Sequence, residues 1–373
     1  SGWIMTNAHV SSRNPKSLEV AFKDEKFVEA KLVYVDMLLD LAIIKISPDK
    51  IPAIATEAKL DCVNKPVVGK PVGAFGHPFS LSFSGTRGII SGEKYRWGRV
   101  WVQTDAPINS GNSGGPLISL TSGKVVGISS ATMSKSRSEG LNFAVPMTHA
   151  CKVVDLLRKG MDPTPSYIPV SFAYDDDNDS ELIAAVIYKK QPTAWPLEVG
   201  DRLVSFASTP KDEFKNQAML VHQLRGVRGK VDVVIERDGK KKIISIMSKP
   251  RTSLMKRIGV HVSGVVIAPE SFRDDEEANP EDLALIQDVA RASIGRSAGI
   301  KAYDLLISVD GKTMADPTAI CRYLKTAEKA KRKIKLITKE GDWSYRSHSK
   351  YHAYEIKAKD VRLVGPKAPE GCG

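Results

Sequence analysis

The residues most suggestive of chemistry form a glycine-rich run around a serine, Gly111-Asn112-Ser113-Gly114-Gly115-Pro116. A serine hydroxyl is a weak nucleophile, so it needs a neighbouring base, and its attack on a carbonyl group needs N–H donors for the oxyanion. Glycines around the serine allow a tight turn in which the N–H groups of Gly111 and Ser113 point at one position. A purely structural turn between two strands is the alternative, and residues elsewhere in the chain decide between the two.

A histidine and an aspartate at strand edges supply the other groups that such a serine needs. His9 follows an apolar, strand-like segment, and Asp40 stands directly before the apolar run 41–46. The order His, Asp, Ser is one of three known orders for a catalytic triad. These three residues together therefore indicate a nucleophilic serine with its base and its orienting carboxylate.

Each of the two supporting residues has a rival. His77 lies between glycine and proline in a loop, and Asp36 lies four residues before Asp40. Asp40 is the better candidate because it adjoins the apolar run, where a carboxylate would be buried and oriented. We favour His9 over His77 because the Gly-His-Pro setting of His77 indicates a loop, whereas His9 directly follows an apolar, strand-like segment.

The elements that must position these residues are strands. Short apolar and β-branched segments separated by Gly, Pro, Asn and Ser recur through the first 150 residues, which is typical of a barrel or sandwich. A helix is predicted over 148–158, ended by Gly160 and followed by a linker over 161–165. The predicted strands are 18–22, 30–34, 41–46, 67–75, 100–103, 116–118, 125–128 and 142–145.

The rest of the chain contains a weak duplication. The segments 199–206 and 302–309 are alike, with Asp201 and Asp304 separated by 103 residues, a domain length rather than a short repeat period. After each come a predicted helix (216–224; 317–324) and two predicted strands (231–237 and 242–247; 333–338 and 352–356). The acidic stretches 175–179 and 273–282 are expected to be solvated loops, and the basic run 325–335 to be a helix end leading into a strand.

Composition limits the class of protein. A chain of 373 residues with 42% hydrophobic and 26% charged residues is globular and suits two or three domains. No segment has the roughly 18 consecutive apolar residues of a membrane span. Four widely spaced cysteines exclude a zinc module or a disulfide-dense scaffold and leave the redox compartment open. No cofactor or metal site is indicated. The net charge of +12 permits binding to nucleic acid but does not show it.

The sequence resembles the HtrA/Deg family of trypsin-like serine proteases that carry PDZ domains. The later segments EVGDRLVSF and KAYDLLISVDGK resemble parts of the two PDZ domains. The resemblance implies a mainly β chain, with a double β-barrel protease domain over 1–160 and PDZ-like α+β domains over 166–250 and 255–365. The segments that carry it in the protease domain are TNAHV, DLAIIKI, AFGHPF, TDAPINSGNSGGPL and GLNFAVP.

The resemblance also implies residue roles. Ser113 would be the nucleophile, His9 the base and then acid, and Asp40 the residue that orients His9, with Gly111 and Ser113 forming the oxyanion hole. The implied specificity pocket contains no acidic residue, so we expect a preference for small or medium aliphatic side chains. The implied pocket residues are Pro107, Ile108, Asn109, Ser130, Ala131, Thr132, Gly140 and Leu141.

PDZ domains bind a peptide C-terminus as an added strand and hold its carboxylate with backbone N–H groups. In the first module, the matching loop 167–170 contains Pro169, which lacks an N–H group. The second module retains a glycine, so tail binding is expected to be tighter there. Its predicted carboxylate loop consists of Arg257, Ile258, Gly259 and Val260.

One departure from the family concerns the first barrel. Trypsin-like domains have strands before the histidine strand, whereas only eight residues precede His9. The expectation is an unclosed first barrel with an unpaired edge, unless another segment replaces those strands. The N-terminal segment through which family members form trimers is also not in this sequence.

The resemblance implies an ATP-independent endopeptidase of protein quality control. Expected partners are unfolded or C-terminal peptide substrates and further copies of the chain, as a trimer or its multiples, without nucleic acid or a membrane span. The expected location is the cell envelope or an organelle of bacterial origin. The alternatives are a proteolytically inactive chaperone or scaffold, and a nucleic-acid-binding protein suggested by net charge alone.

Overall fold

The computed structural model describes residues 1–11, 18–22, 26–77, 83–96, 99–132, 140–173, 181–187, 195–251, 253–269, 284–340, 350–365 and 368–372. The chain divides into two compact units, Ser1–Arg251 and Thr252–Gly373. The first unit contains the peptidase-like region together with the first C-terminal module. The second unit contains the second module.

A four-stranded antiparallel sheet begins the first unit. Its strands lie in the order β1-β4-β3-β2, and helix α1 (Ala8–Ser11) follows β1. In the described part of the chain this sheet is open. The strands are β1 (Trp3–Thr6), β2 (Leu18–Val20), β3 (Val28–Asp36) and β4 (Leu41–Lys45).

The second sheet closes into a barrel of six antiparallel strands in the order β10-β7-β6-β5-β8-β9. The barrel core consists of small and branched apolar side chains, among them Val72, Ile90 and Leu117. Helix α2 (Met147–Arg158) follows β10, and a disulfide joins its Cys151 to Cys62. The strands are β5 (Pro71–Gly76), β6 (Ser84–Arg96), β7 (Arg99–Thr104), β8 (Pro116–Ser119), β9 (Val125–Thr132) and β10 (Asn142–Pro146).

The first C-terminal module is a five-stranded sheet in the order β11-β12-β13-β14-β15. Helix α3 (Gln217–Gln223) begins at Asn216, whose side-chain oxygen accepts a hydrogen bond from Met219 N at 3.0 Å, a standard N-cap. The strands are β11 (Val170–Phe172), β12 (Leu182–Ile187), β13 (Arg202–Phe206), β14 (Gly229–Arg237) and β15 (Lys240–Ser248).

The second unit is a seven-stranded sheet in the order β21-β20-β19-β18-β17-β16-β22. Helices α4 (Ile294–Ser297) and α5 (Pro317–Lys329) belong to it, and a disulfide joins Cys321 in α5 to Cys372. The strands are β16 (Gly259–Val262), β17 (Val265–Pro269), β18 (Ala284–Val289), β19 (Leu305–Val309), β20 (Lys333–Lys339), β21 (Tyr351–Lys357) and β22 (Arg362–Val364).

The mainly β expectation is confirmed, and the predicted strands and helices of both modules recur with ends shifted by a few residues. Strand β6 was not predicted, because its glycines and charged residues interrupt the apolar alternation. The basic run ends α5 and enters β20, as expected, whereas the acidic stretches 175–179 and 273–282 lie outside the described residues. None of the helices in the described ranges is long and apolar enough to cross a membrane.

Candidate active site

The pairing of β1 with β4 brings His9 and Asp40 together. The strands are antiparallel, with Thr6 opposite Ala42, so the residues just after β1 and just before β4 lie at the same end of the sheet. His9 Nδ1 lies 2.9 Å from Asp40 Oδ2 and 3.0 Å from Oδ1. The backbone N–H of His9 also donates to Asp40 Oδ1, at 3.1 Å. The carboxylate thus fixes both the ring and the backbone of His9.

Asp40 is itself held in an unusual conformation. Its φ angle is +56°, in the left-handed region, and its carbonyl accepts a hydrogen bond from Asn7 Nδ2 at 3.0 Å. The Ser130 hydroxyl donates to its Oδ2 atom. Burial alone would raise the pKa of Asp40, but the hydrogen bonds from His9 and Ser130 outweigh it and hold the pKa below its usual value. The residue is therefore a carboxylate at neutral pH.

The glycine-rich run forms a turn immediately before β8. Gly111 and Gly114 have φ angles of +105° and +85°, which favour glycine. A side chain at Gly114 would also collide with Thr6, since an added Cβ would lie 2.2 Å from Thr6 Oγ1. The turn that carries Ser113 is thereby packed directly against β1, which leads to His9.

Hydrogen bonding within this turn leaves two N–H groups available. The N–H groups of Asn112, Gly114 and Gly115 donate to Asn109 O, Ser129 O and Asn112 O at 2.9, 2.8 and 2.9 Å. Between the described residues, no hydrogen bond uses the N–H groups of Gly111 or Ser113. These are the two groups predicted from the sequence as oxyanion donors.

Ser130, in β9, connects the serine turn with the carboxylate. Its carbonyl accepts a hydrogen bond from Ser113 Oγ at 3.1 Å, while its hydroxyl bonds Asp40. The Ser113 hydroxyl is thus hydrogen-bonded to Ser130 rather than to His9. Catalytic hydrogen bonds commonly tighten only in the substrate complex. The resemblance placed Ser130 in the pocket, but nothing in the sequence indicated its bond to Asp40, because no local pattern links residues 90 positions apart.

The two rival residues have other roles. The N–H of His77 donates to Gly111 O at 3.0 Å, and its ring contacts Phe83 with ring centroids 4.8 Å apart. His77 therefore supports the turn through its backbone. Asp36 pairs with Arg225 instead of a histidine.

Two predicted pocket residues have side chains engaged elsewhere. Ile108 is 3% exposed and packs in the barrel core, and the Ser130 hydroxyl is bonded to Asp40. The pocket assignment of Ile108 and Ser130 stays a prediction, and in this structure both side chains are engaged within the protein. Ser130 still contributes its backbone to the site.

The other predicted pocket residues lie on segments around the serine turn. Ala131 and Thr132 in β9 pair with Phe143 and Asn142 in β10. An added Cβ at Gly140 would lie 4.0 Å from Asp105, whose carboxylate accepts a hydrogen bond from Ile89 N at 2.6 Å. Pro107 and Gly140 are exposed, and Asn109 and Leu141 are partly exposed.

The two predicted carboxylate loops differ in their hydrogen bonding. In the first, Tyr167 N donates to Lys249 O at 2.9 Å and Val170 N donates to Ile168 O at 2.7 Å. The N–H groups of Tyr167 and Val170 are therefore occupied, and Pro169 has no N–H group to offer.

In the second loop, Gly259 and Val260 belong to β16, which pairs with β17 along one edge and with β22 along the other. As folded, this strand has no free edge for an added peptide. Arg257, the predicted charge partner, is only 7% exposed. Tail binding at this loop therefore stays a prediction, and it requires β22 to leave.

Comparison with known proteins agrees with this geometry. A family model described as a trypsin-like peptidase domain matches residues 1–128. A relative from Marinomonas sp., named "Probable periplasmic serine endoprotease DegP-like", is 28% identical over 352 residues, which are 88% of this chain and 72% of that protein.

Solved structures give the same result. The serine endoprotease from Yersinia pestis has 30% sequence identity and a TM-score of 0.50, over 66% of this chain and 85% of that one. A structure titled "HtrA-type protease AlgW with tripeptide" has 28% identity and a TM-score of 0.54 over the same shares.

The barrel, the serine turn and these matches define a trypsin-like serine endopeptidase. More narrowly, the chain belongs to the HtrA/DegP family of serine endoproteases. The matches favour a protease over the inactive chaperone or scaffold considered from the sequence. In the described ranges, no three His, Cys, Asp or Glu side chains are grouped as a metal site requires.

Proposed function

We propose that Ser113, His9 and Asp40 are the catalytic triad of an ATP-independent endopeptidase that cleaves unfolded or damaged proteins. The observation that carries the proposal is the link through Ser130, which bonds Asp40 by its hydroxyl and Ser113 by its carbonyl. This link brings the serine turn to the His9–Asp40 pair, although the three residues come from three separate segments.

The chemistry follows from the positions of these groups. When substrate binds, the Ser113 hydroxyl turns to His9 Nε2, which takes its proton as the Oγ–carbon bond forms. The N–H groups of Gly111 and Ser113 hold the oxyanion. His9 then gives the proton to the leaving amine, and a water molecule repeats the sequence on the acyl-enzyme. Asp40 stays ionised and stabilises the imidazolium.

The direct test is the Ser113→Ala variant in the full-length protein. Casein cleavage should fall to the residual level left by binding and the oxyanion hole, about 10³–10⁴-fold over water. A fluorophosphonate probe should label the parent protein at Ser113 and leave the variant unlabelled. Ser122→Ala, in an exposed turn after β8, is the matched control and should retain activity. Cleavage by purified Ser113→Ala equal to the parent's would refute the triad.

Specificity can be read from the same digest. The pocket residues contribute no acid, and the nearby Asp105 carboxylate is bonded to Ile89 N. An ammonium group buried without a partner costs several kcal/mol. Products ending in Val, Ala, Ile or Leu should therefore exceed those ending in Lys or Arg, and the reverse distribution would place the pocket elsewhere.

The two C-terminal modules are proposed to be PDZ-like. Support comes from the repeated order of strands and helix and from the size of each module. Strand β11 of the first module pairs, in the described ranges, with β12 alone, so its outer edge can accept an extended peptide. Assembly as a trimer or its multiples is part of the proposal and rests on the family resemblance.

The cell envelope is the proposed location. The Marinomonas relative is named a periplasmic protein. In addition, all four cysteines are paired, as Cys62–Cys151 and Cys321–Cys372, and disulfides persist mainly in oxidising compartments such as the periplasm.

A further inference from the structure

A buried ion pair connects the first module to the peptidase region. Arg225, which follows α3, donates to Asp36 at the end of β3. Their side chains are 2% and 0% exposed. Burial alone would lower the pKa of Arg225, but the charge of Asp36 outweighs it, so the guanidinium remains charged. The first module thus places a full positive charge inside the peptidase region.

The carboxylate that receives this charge also shapes a turn. Asp36 Oδ1 accepts a hydrogen bond from Leu39 N at 2.9 Å, which closes the turn that ends at Asp40. Arg99, from β7, donates to Met37 O in the same turn at 3.1 Å. Arg225 therefore bonds the first residue of this turn, Asp36, and the last residue of the turn is Asp40, the proposed triad member.

Asp40 depends on that turn for its conformation. Its φ of +56° is unfavourable for an aspartate and persists only where the surroundings impose it. Bonds to Asn7 and His9 fix it on the catalytic side. On the other side, the turn itself is fixed by Asp36 and Arg99.

Two neighbouring residues, Arg228 and Lys152, join the first module to the rest of the unit without a hydrogen bond to the 36–40 turn. Arg228 donates to Thr164 O at 2.9 Å and to Asp162 O at 3.2 Å, and Lys152 donates to His222 O at 3.0 Å. Both join the module to the peptidase region or its linker without a bond to the 36–40 turn. Arg225 also donates to Pro163 O in the linker, at 3.2 Å, but it differs from these residues because it also bonds Asp36 in the 36–40 turn.

We propose that Arg225 is a positioning residue for catalysis, which holds Asp40, and through it His9, in place from the first C-terminal module. This inference rests on the proposed triad. Without Arg225, the Asp36 carboxylate would be buried with no counter-ion, which is unfavourable, so the turn would have to open to water. Asp40 would move with the turn, and a displacement of about 1 Å can reduce catalysis about 10²-fold.

The test compares three variants of the full-length protein on a fluorogenic casein, with rates per serine titrated by a fluorophosphonate. Arg225→Met should lower kcat on the order of 10²-fold while KM changes little. Asp36→Asn combined with Arg225→Met removes both charges and keeps an acceptor for Leu39 N, so it should recover at least about tenfold of the loss. Arg228→Met is the matched control and should retain the parent kcat.

The outcomes separate the two proposals. A parent protein that neither cleaves casein nor is labelled at Ser113 defeats the proposed function. A labelled, active parent with an Arg225→Met variant that has a lower Tm but an unchanged kcat per titrated serine overturns the positioning role. Where Arg225→Met does not fold, Arg225→Lys replaces it. Its single ammonium should give a kcat below the parent's, and an unchanged kcat overturns the proposal.

Discussion

The two C-terminal modules share an order of elements but use their polar side chains differently. In the first, residues in and after α3 face the peptidase region. His222 stacks on His149 with ring centroids 3.8 Å apart, and Arg225 pairs with Asp36. In the second, α5 is tied to its own module, because Cys321 is bonded to Cys372 and Lys325 donates to Val361 O at 2.8 Å. The first module is built into the enzyme, whereas the second is closed on itself.

The strand edges repeat this contrast. In the described ranges β11 has one partner, whereas β16 lies between β17 and β22. Strand β22 runs antiparallel to β16 with Val364 opposite Gly259, so its C-terminal end lies at the predicted carboxylate loop. That is the direction in which a peptide tail would bind. The two modules therefore share an order of elements but not the same available edges, because β22 covers β16 in the second.

Removing each C-terminal module in turn should give the largest difference in activity between the two modules. A chain ending at residue 251 keeps the whole first unit, so its kcat/KM on casein should stay within about threefold of the parent's. A chain ending at residue 165 loses Arg225, the counter-ion of Asp36, together with the rest of the first module, so the 36–40 turn loses its support from that side. We expect it to lose about 10²-fold in activity or to fail to fold.

Activity assays and thermal unfolding of the two purified truncations provide the measurement. Comparable activity in the chains ending at 165 and 251 would contradict the view that the first module is part of the active enzyme. A large loss in the chain ending at 251 would instead assign a catalytic role to the second module.

The affinity of each module for a peptide C-terminus should also differ between the two modules. From sequence, Gly259 favours the second module as the better binder of free C-termini. With β22 in place, we expect the opposite order in the intact chain. Removing residues 361–373 should expose β16 and increase binding of an apolar-tailed peptide to the second unit by about tenfold or more, or about 1.4 kcal/mol.

Isothermal titration of residues 253–373 and 253–360 with one peptide, free or amidated at its C-terminus, checks this. Amidation should weaken binding only after the truncation, since it removes the charge that the loop would hold. Cys321→Ser with residues 253–373 is the control that opens the disulfide but retains β22. Tight, amide-sensitive binding by the untruncated second unit would show that β22 does not block the edge.

Local sequence patterns were sufficient to single out the proposed triad residues but not the residues that support them. Ser113 lies in a turn that only glycine-rich sequence can form, and Asp40 adjoins the apolar strand β4, so residue type and neighbours mark both. Neither the residue type nor the sequence neighbours of Ser130 and Arg225 indicate their roles. Their contacts span 90 and 189 residues, and only the folded chain brings them together.

The fold shows the same limit. Strands with regular apolar runs, such as β4 and β10, were predicted, whereas β6 was missed because glycines and charges interrupt its alternation. The edge pairing of β22 was also missed, since three residues carry too little pattern to indicate a strand. Burial explains the difference. Strands β4 and β10 are almost wholly buried and carry continuous apolar runs, whereas among the side chains described for β6 only that of Ile90 is buried.

The smallest predicted effect is a difference in pH dependence that follows from the first module's attachment. Burial, together with the positive charges of Arg225, Lys65 and Lys152, lowers the pKa of His149 to about 3. Burial, together with His149, Arg225 and Lys152, holds the pKa of His222 well below its usual value. Both rings are neutral in the folded protein, whereas an unfolded histidine takes up a proton below about pH 6.5. Stability is thus fully present above that pH and is lost as the pH falls below it.

Between pH 7 and pH 5.5 each ring should lower the free energy of unfolding of residues 1–251 by about 1 kcal/mol. In the second unit, burial raises the pKa of Asp304, so acidification acts in the opposite direction there. Urea unfolding of the two units at both pH values is the measurement. His149→Phe with His222→Phe keeps the stacked pair without titrating, and should remove most of the loss. An undiminished loss in this variant would mean that other groups cause it, and that the stacked histidines do not make the attachment pH-dependent.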